Sequence, residues 1–131
     1  MRLRIGLFVS IVYMVIVPTI SGQDSPEYKV SLGDTCELTN RYIEQLAFGA
    51  IENQERVFAI SRPGKDEKNK ISDLRLKAIN FALIVKGMPE TQFVIATGRR
   101  TSNKNSVVEF YLGSKFFLLV PVPKGYPGCF L

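Results

Sequence analysis

Val57-Phe58-Ala59-Ile60, Arg62-Pro63-Gly64-Lys65-Asp66-Glu67-Lys68-Asn69, Lys86-Gly87-Met88-Pro89, Phe93-Val94-Ile95-Ala96 and Val107-Val108-Glu109-Phe110-Tyr111 follow one another between Arg56 and Tyr111, with one helical period between the second and the third. Short apolar runs bounded by Gly, Pro and Asn read as strands, and the longer 3.6-residue pattern reads as a helix. The stretch is therefore strand, loop, helix, tight turn, strand, loop, strand. A strand-helix-strand connection of this length predicts a parallel, right-handed crossover. The fold class expected is α+β: a small mixed sheet with a β-α-β-α-β core and a C-terminal β-hairpin.

Working outward, Tyr28-Lys29-Val30-Ser31-Leu32 alternates as a half-buried strand does. Gly33 turns the chain, and Asp34 with Glu37 three residues later forms the capping-box pattern of a first helix from Cys36 to about Asn53. Leu38 or Thr39, Tyr42, Ile43, Leu46, Ala47, Ala50 and Ile51 make its apolar stripe. Arg56 to Ser61 is apolar enough for a central strand covered on both faces. Asn69 is in place to cap the second helix, whose core face is Ile71, Leu74, Ala78, Ile79, Ala82 and Val85, with Arg75 at the margin. Gly87 and Pro89 end it. Ser106 to Leu112 and Lys115 to Val120 read as a hairpin through Gly113-Ser114, and the proline-rich tail runs as an extended cover to Cys129.

The N-terminus is basic at Arg2 and Arg4, then apolar from Ile5, with small residues at Ser21-Gly22. This is the pattern of a secretory leader over residues 1–22, cleaved after Ser21 or Gly22, leaving one domain over 23–131. The competing reading is a retained anchor, but the apolar run of about 13 to 16 residues is shorter than the roughly 20 a span needs. Cys36 and Cys129 are the only cysteines. In an exported chain they are expected to pair, contributing up to ~4 kcal/mol, against the alternative of two free thiols. Removing Arg2 and Arg4 leaves 15 Lys plus Arg against 12 Asp plus Glu, a net of +3. That charge does not call for nucleic acid.

The 131 residues contain no histidine. This excludes Ser-His and Cys-His nucleophiles and the usual zinc sets, so no metal or cofactor is expected. Asp66, Glu67 and Asp73 leave carboxylate-only catalysis open in principle, although Asp73 is accounted for by the helix dipole and Asp66 and Glu67 by solvation. In a parallel crossover the loops after Ser61 and after Thr97 leave the same sheet edge, where ligands of open sheets bind. Arg62, Lys65, Lys68, Lys70 and Arg75 would there meet Arg99, Arg100 and Lys104 as a cationic rim for carboxylate or phosphate groups. The plainer alternative is a solvated rim without a specific ligand.

Ile71-Ser72-Asp73-Leu74-Arg75, then Lys86-Gly87-Met88-Pro89-Glu90-Thr91-Gln92-Phe93, then Asn105-Ser106-Val107-Val108-Glu109-Phe110 resemble, in order and spacing, the C-terminal periplasmic domain of outer-membrane protein A and its relatives. The likeness covers about Tyr28 to Tyr111. It implies the OmpA-like peptidoglycan-binding fold, with Arg75 matching the arginine that receives a carboxylate of the stem peptide's diaminopimelate and Ser72 beside it. Two departures are plain. Ser61-Arg62-Pro63 stands where such domains carry an aspartate for the ammonium group, and Ser106 and Val107 replace two arginines of the closing motif.

The expectation is an exported, non-enzymatic envelope-binding module in a secreted or periplasmic setting. Arg75, Arg62, Arg99 and Ser72 form its candidate ligand site, and its partner is peptidoglycan or an envelope protein. The alternative is a secreted interaction or structural protein that docks a partner on a sheet edge or on the apolar tail. An enzyme would require two carboxylates within mutual reach in a pocket.

Overall fold

The structure, a computed structural model, describes residues 25–130. The expected leader over 1–22 lies outside the described residues. In chain order the elements are β1 (Tyr28–Lys29), α1 (Cys36–Asn53), β2 (Val57–Arg62), α2 (Asn69–Val85), β3 (Phe93–Thr97), β4 (Ser106–Leu112) and β5 (Lys115–Val122), with a 3₁₀ turn at Glu90–Gln92. They form one mixed sheet in the order β1-β5-β4-β2-β3. The α+β architecture expected from the sequence is the one observed.

The crossover is the organising unit. β2 pairs with β3 in parallel from Val57↔Phe93 to Ser61↔Thr97, and α2 makes the connection. β4 lies antiparallel to β2 on its other side, with Ala59 opposite Phe110. The loop after β2, the loop after β3 and the start of β4 therefore share one edge of the sheet. β4 and β5 form the expected hairpin, and Gly113 takes the positive φ of 61° that its turn requires.

β2 is central, but it is covered on one face only. Val57, Ala59 and Ser61 are buried while Phe58, Ile60 and Arg62 are half-buried. Both helices pack on the same face: Ile43, Leu46 and Ala50 of α1 and Ile79, Ala82 and Leu83 of α2 join Val57, Ala59, Val108, Phe110 and Leu118 in one core. Each large aliphatic side chain buried there contributes roughly 1.5–3 kcal/mol. An apolar run alone does not distinguish a doubly covered strand from one lying in a two-layer fold.

Local chemistry moves several boundaries. Asp34 does not cap α1. Its carboxylate accepts from Ser31 N–H at 2.6 Å, closing a turn that stops β1 after two residues, and Thr35 caps the helix through Leu38 N–H at 3.4 Å. Asn69 is the first residue of α2 rather than its cap, which is Lys68. Gly87, with φ of 93°, and Pro89 end α2 as expected, and Met88 N–H donates to Leu83 O. β5 continues through Pro121 to Val122. The short β1 reaches only Leu119, so beyond it β5 is an edge on that side and a residue lacking an N–H is tolerated.

The largest departure concerns the face of α2. Its buried residues are Ser72, Arg75, Ile79, Ala82 and Leu83, while Leu74 and Val85 are exposed. The helix is turned so that Arg75 points inward where Leu74 was expected. Among the described residues, no helix is long and apolar enough to cross a membrane.

Candidate functional site

Arg75 lies in the second turn of α2 and is wholly buried. An unpaired guanidinium in a core would cost several kcal/mol, so its partners decide whether the position is tolerated. The loop between β2 and α2 brings Glu67 to it. Arg75 Nη1 donates to Glu67 Oε2 at 2.7 Å, and Nη2 donates to Oε1, giving the planar two-bond fork. Two hydroxyls complete the carboxylate's shell: Ser72 Oγ donates to Oε2 at 2.8 Å and Ser106 Oγ to Oε1 at 2.9 Å.

The far side of Arg75 holds the C-terminal tail. Nη2 donates to Tyr126 O at 2.8 Å and Nε to Pro127 O at 3.1 Å. Next to these contacts the Cys36–Cys129 disulfide, with Cα atoms 5.0 Å apart, ties the tail to the first residue of α1, as the two-cysteine reading expected. Phe130 is buried beside Phe110, their ring centroids 6.2 Å apart. The tail is a strap built into the core.

Burial alone would push the Glu67 carboxyl up. The hydrogen bonds from Arg75, Ser72 and Ser106, together with the charge of Arg75, outweigh it and hold the group below the usual carboxylate range. Glu67 is thus an ionised, buried partner, and only Asp66 of the two loop acids is solvated. No periodicity marks such a residue, because it sits in a loop and its partners come from α2 and β4.

The other expected residues divide. Ser72 is buried and spent on Glu67. Arg62 is on the open face of the sheet, where Nε donates to Glu109 Oε2 at 2.8 Å and Tyr111 Oη donates to Oε1 at 3.0 Å. Its hydrogen bond to Glu109 raises the guanidinium's pKa, against the opposing effect of burial. The Tyr111 phenol is pushed up to about 12 by burial, by its bond to Glu109 and by that carboxylate's charge. Arg99 is exposed. The structure thus sets Arg75 and Ser72 in one internal cluster, Arg62 in a separate ion pair and Arg99 on the surface.

The two basic loops do meet. Lys65 N–H donates to Asn103 O at 2.8 Å and Thr101 N–H to Pro63 O at 2.9 Å. Arg100, itself exposed, reaches across to donate to the Gly64 and Glu67 carbonyls at 2.7 and 3.0 Å. Gly64 N–H donates to Ser106 Oγ at 2.9 Å, and a Cβ at Gly64 would run into the Lys104 carbonyl. Only glycine allows this approach. On the edge so formed, Lys65, Lys68, Arg99 and Lys104 are exposed, with Asp66 as the exposed acid among them and the first turn of α2 beginning alongside.

Compared with family models, curated proteins and solved structures, the chain matches none. The chemistry available has to be read from the side chains. The buried cluster is a neutralised, fully engaged ion pair that fixes a loop, a helix and the tail, and a ligand carboxylate would have to displace Glu67 to reach Arg75. The exposed edge is a set of cationic side chains on two loops hydrogen-bonded to each other.

Proposed function

We propose that the protein is a non-enzymatic binding module of an extracytoplasmic envelope, retaining an anionic polymer such as peptidoglycan at the edge formed by the loops after β2 and β3. The observation that supports this reading is the hydrogen-bonded union of those loops, which presents Lys65, Lys68, Arg99 and Lys104 together. Several cations on one rigid edge attract a polyanion more effectively than the same charges scattered over a surface. The first turn of α2 adds its partial positive charge in the same region. The Cys36–Cys129 disulfide fits an oxidising compartment. The likeness to OmpA-like domains agrees with this role, with ligand contact placed on the exposed rim and Arg75 given to the fold.

A pull-down with purified peptidoglycan tests the proposal, using the mature chain from Gln23 and a variant carrying Lys65→Gln, Lys68→Gln, Arg99→Gln and Lys104→Gln. Wild type is expected to be retained at low salt and released as salt screens the rim. The variant, folded by circular dichroism, is expected in the supernatant. Equal retention of the two proteins would rule out the rim, and no retention of wild type would rule out the polymer.

A further inference from the structure

The helical layer carries the largest apolar side chains left outside the core. Phe48 is 69% exposed and Ile51 43% on α1, while Leu74, Phe81 and Val85 are 43%, 54% and 59% exposed on α2. Leu74, Phe81 and Val85 recur at seven and four residues and form one stripe, and Phe48 and Ile51 are neighbours on the other helix. Phe48 and Ile51 line a furrow that Lys86, at the C-terminal end of α2, bounds from the other side. Lys86 Nζ lies 3.4 Å from Glu44 Oε2 across it, a Cβ at Gly87 would touch Ile51 Cδ1 at 3.9 Å, and an open depression of about 340 Å³ lies between Glu44, Phe48, Ile51, Glu52 and Lys86.

We propose that this face is covered by a second copy of the chain, in a two-fold dimer whose two helical layers lie between two outer sheets. Charge distribution selects that occupant. α1 is acidic on its exposed side, with Glu37, Glu44 and Glu52 against Arg41. α2 is basic on its exposed side, with Lys70 and Lys77 against Asp73, since Arg75 is internal and Lys86 is paired with Glu44.

Both helices return antiparallel to the mutually parallel strands β1, β2 and β3, so they run in the same direction. A two-fold axis along them sets α1 of one copy over α2 of the other. Acidic then meets basic twice, as an isologous interface requires. An axis across the helices sets α1 over α1 and opposes like charges.

Size agrees with this arrangement. The five apolar side chains together expose roughly 500 Å² per copy, the size of the largest apolar patch on a typical monomer, which is often a functional one. Two copies would bury about 1,000 Å² before the flanking Lys and Glu stems are counted, which reaches the lower bound of a specific interface.

Sedimentation equilibrium of the oxidised mature chain over a wide concentration range tests the proposal. A monomer–dimer equilibrium is expected, with the dissociation constant raised roughly tenfold or more by Phe81→Asp. Two charge variants give an independent reading: one carries Glu37→Lys and Glu52→Lys, the other Lys70→Glu and Lys77→Glu. Each alone is expected to be more monomeric than wild type, and their equimolar mixture is expected to dimerise. These positions are exposed, so the variants should keep the wild-type circular dichroism and disulfide. A wild-type chain that stays monomeric at every concentration overturns the proposal and leaves the face to a different protein or surface. A wild-type dimer indifferent to Phe81→Asp and to all the charge changes overturns it equally.

Discussion

Arg75 and Glu67 face each other as a two-bond fork with side-chain exposures of 0% and 1%. The pair joins the start of α2 to the loop that precedes it, while two further donors of Arg75 reach the carbonyls of Tyr126 and Pro127. A residue placed in sequence like a ligand-receiving arginine is thus the junction of loop, helix and C-terminal strap.

Breaking one half of this pair should cost more than removing both. Glu67→Leu alone leaves a buried guanidinium without its counter-charge, as Arg75→Met alone leaves a buried carboxylate, and a loss of about 3–5 kcal/mol is expected of each. Arg75→Met combined with Glu67→Leu should recover part of that loss, because neither charge then remains buried. Urea unfolding of the two single variants and the double variant measures the coupling. Strict additivity would mean that the pair contributes nothing as a pair.

Acid should weaken the fold through the same carboxyl. Its folded pKa is lowered, so its stabilising contribution is fully present above the unfolded value of about 4.3 and is lost as pH falls through the folded value. The melting temperature of wild type should therefore lie above that of Glu67→Gln at neutral pH, with the gap closing as the solution is acidified below the ordinary carboxylate range. A gap that stays constant into strong acid would contradict an ionised Glu67.

The strap should contribute through its bridge and through its anchor separately. Replacing Cys36 and Cys129 by Ser removes a cross-link spanning 93 residues, and a loss of about 2–4 kcal/mol is expected. Phe130→Ala, with the bridge intact, should cost about 3–5 kcal/mol by opening a cavity beside Phe110. Chemical denaturation of each variant checks the values. Rapid amide exchange at Val108 and Phe110 in Phe130→Ala alone would identify the ring, rather than the disulfide, as the seal over this end of the sheet.

Local pattern determined the order of the elements, the parallel crossover, the hairpin at Gly113 and the stop at Gly87-Pro89, because periodicity and turn geometry are written within short stretches, and composition determined the pairing of the two cysteines, because the chain has no others. The meeting of the loops after β2 and β3 was legible for the same reason, as it follows from the direction of two neighbouring strands. Tertiary structure alone decided which face of α2 turns inward. Leu74 is the better core residue by hydropathy, yet Arg75 is the one buried, because Glu67 from eight residues upstream and the carbonyls of Tyr126 and Pro127 from 51 and 52 residues downstream meet its donors. The cost of burying a charge depends on partners that only the folded chain assembles, and no local pattern of hydropathy contains them.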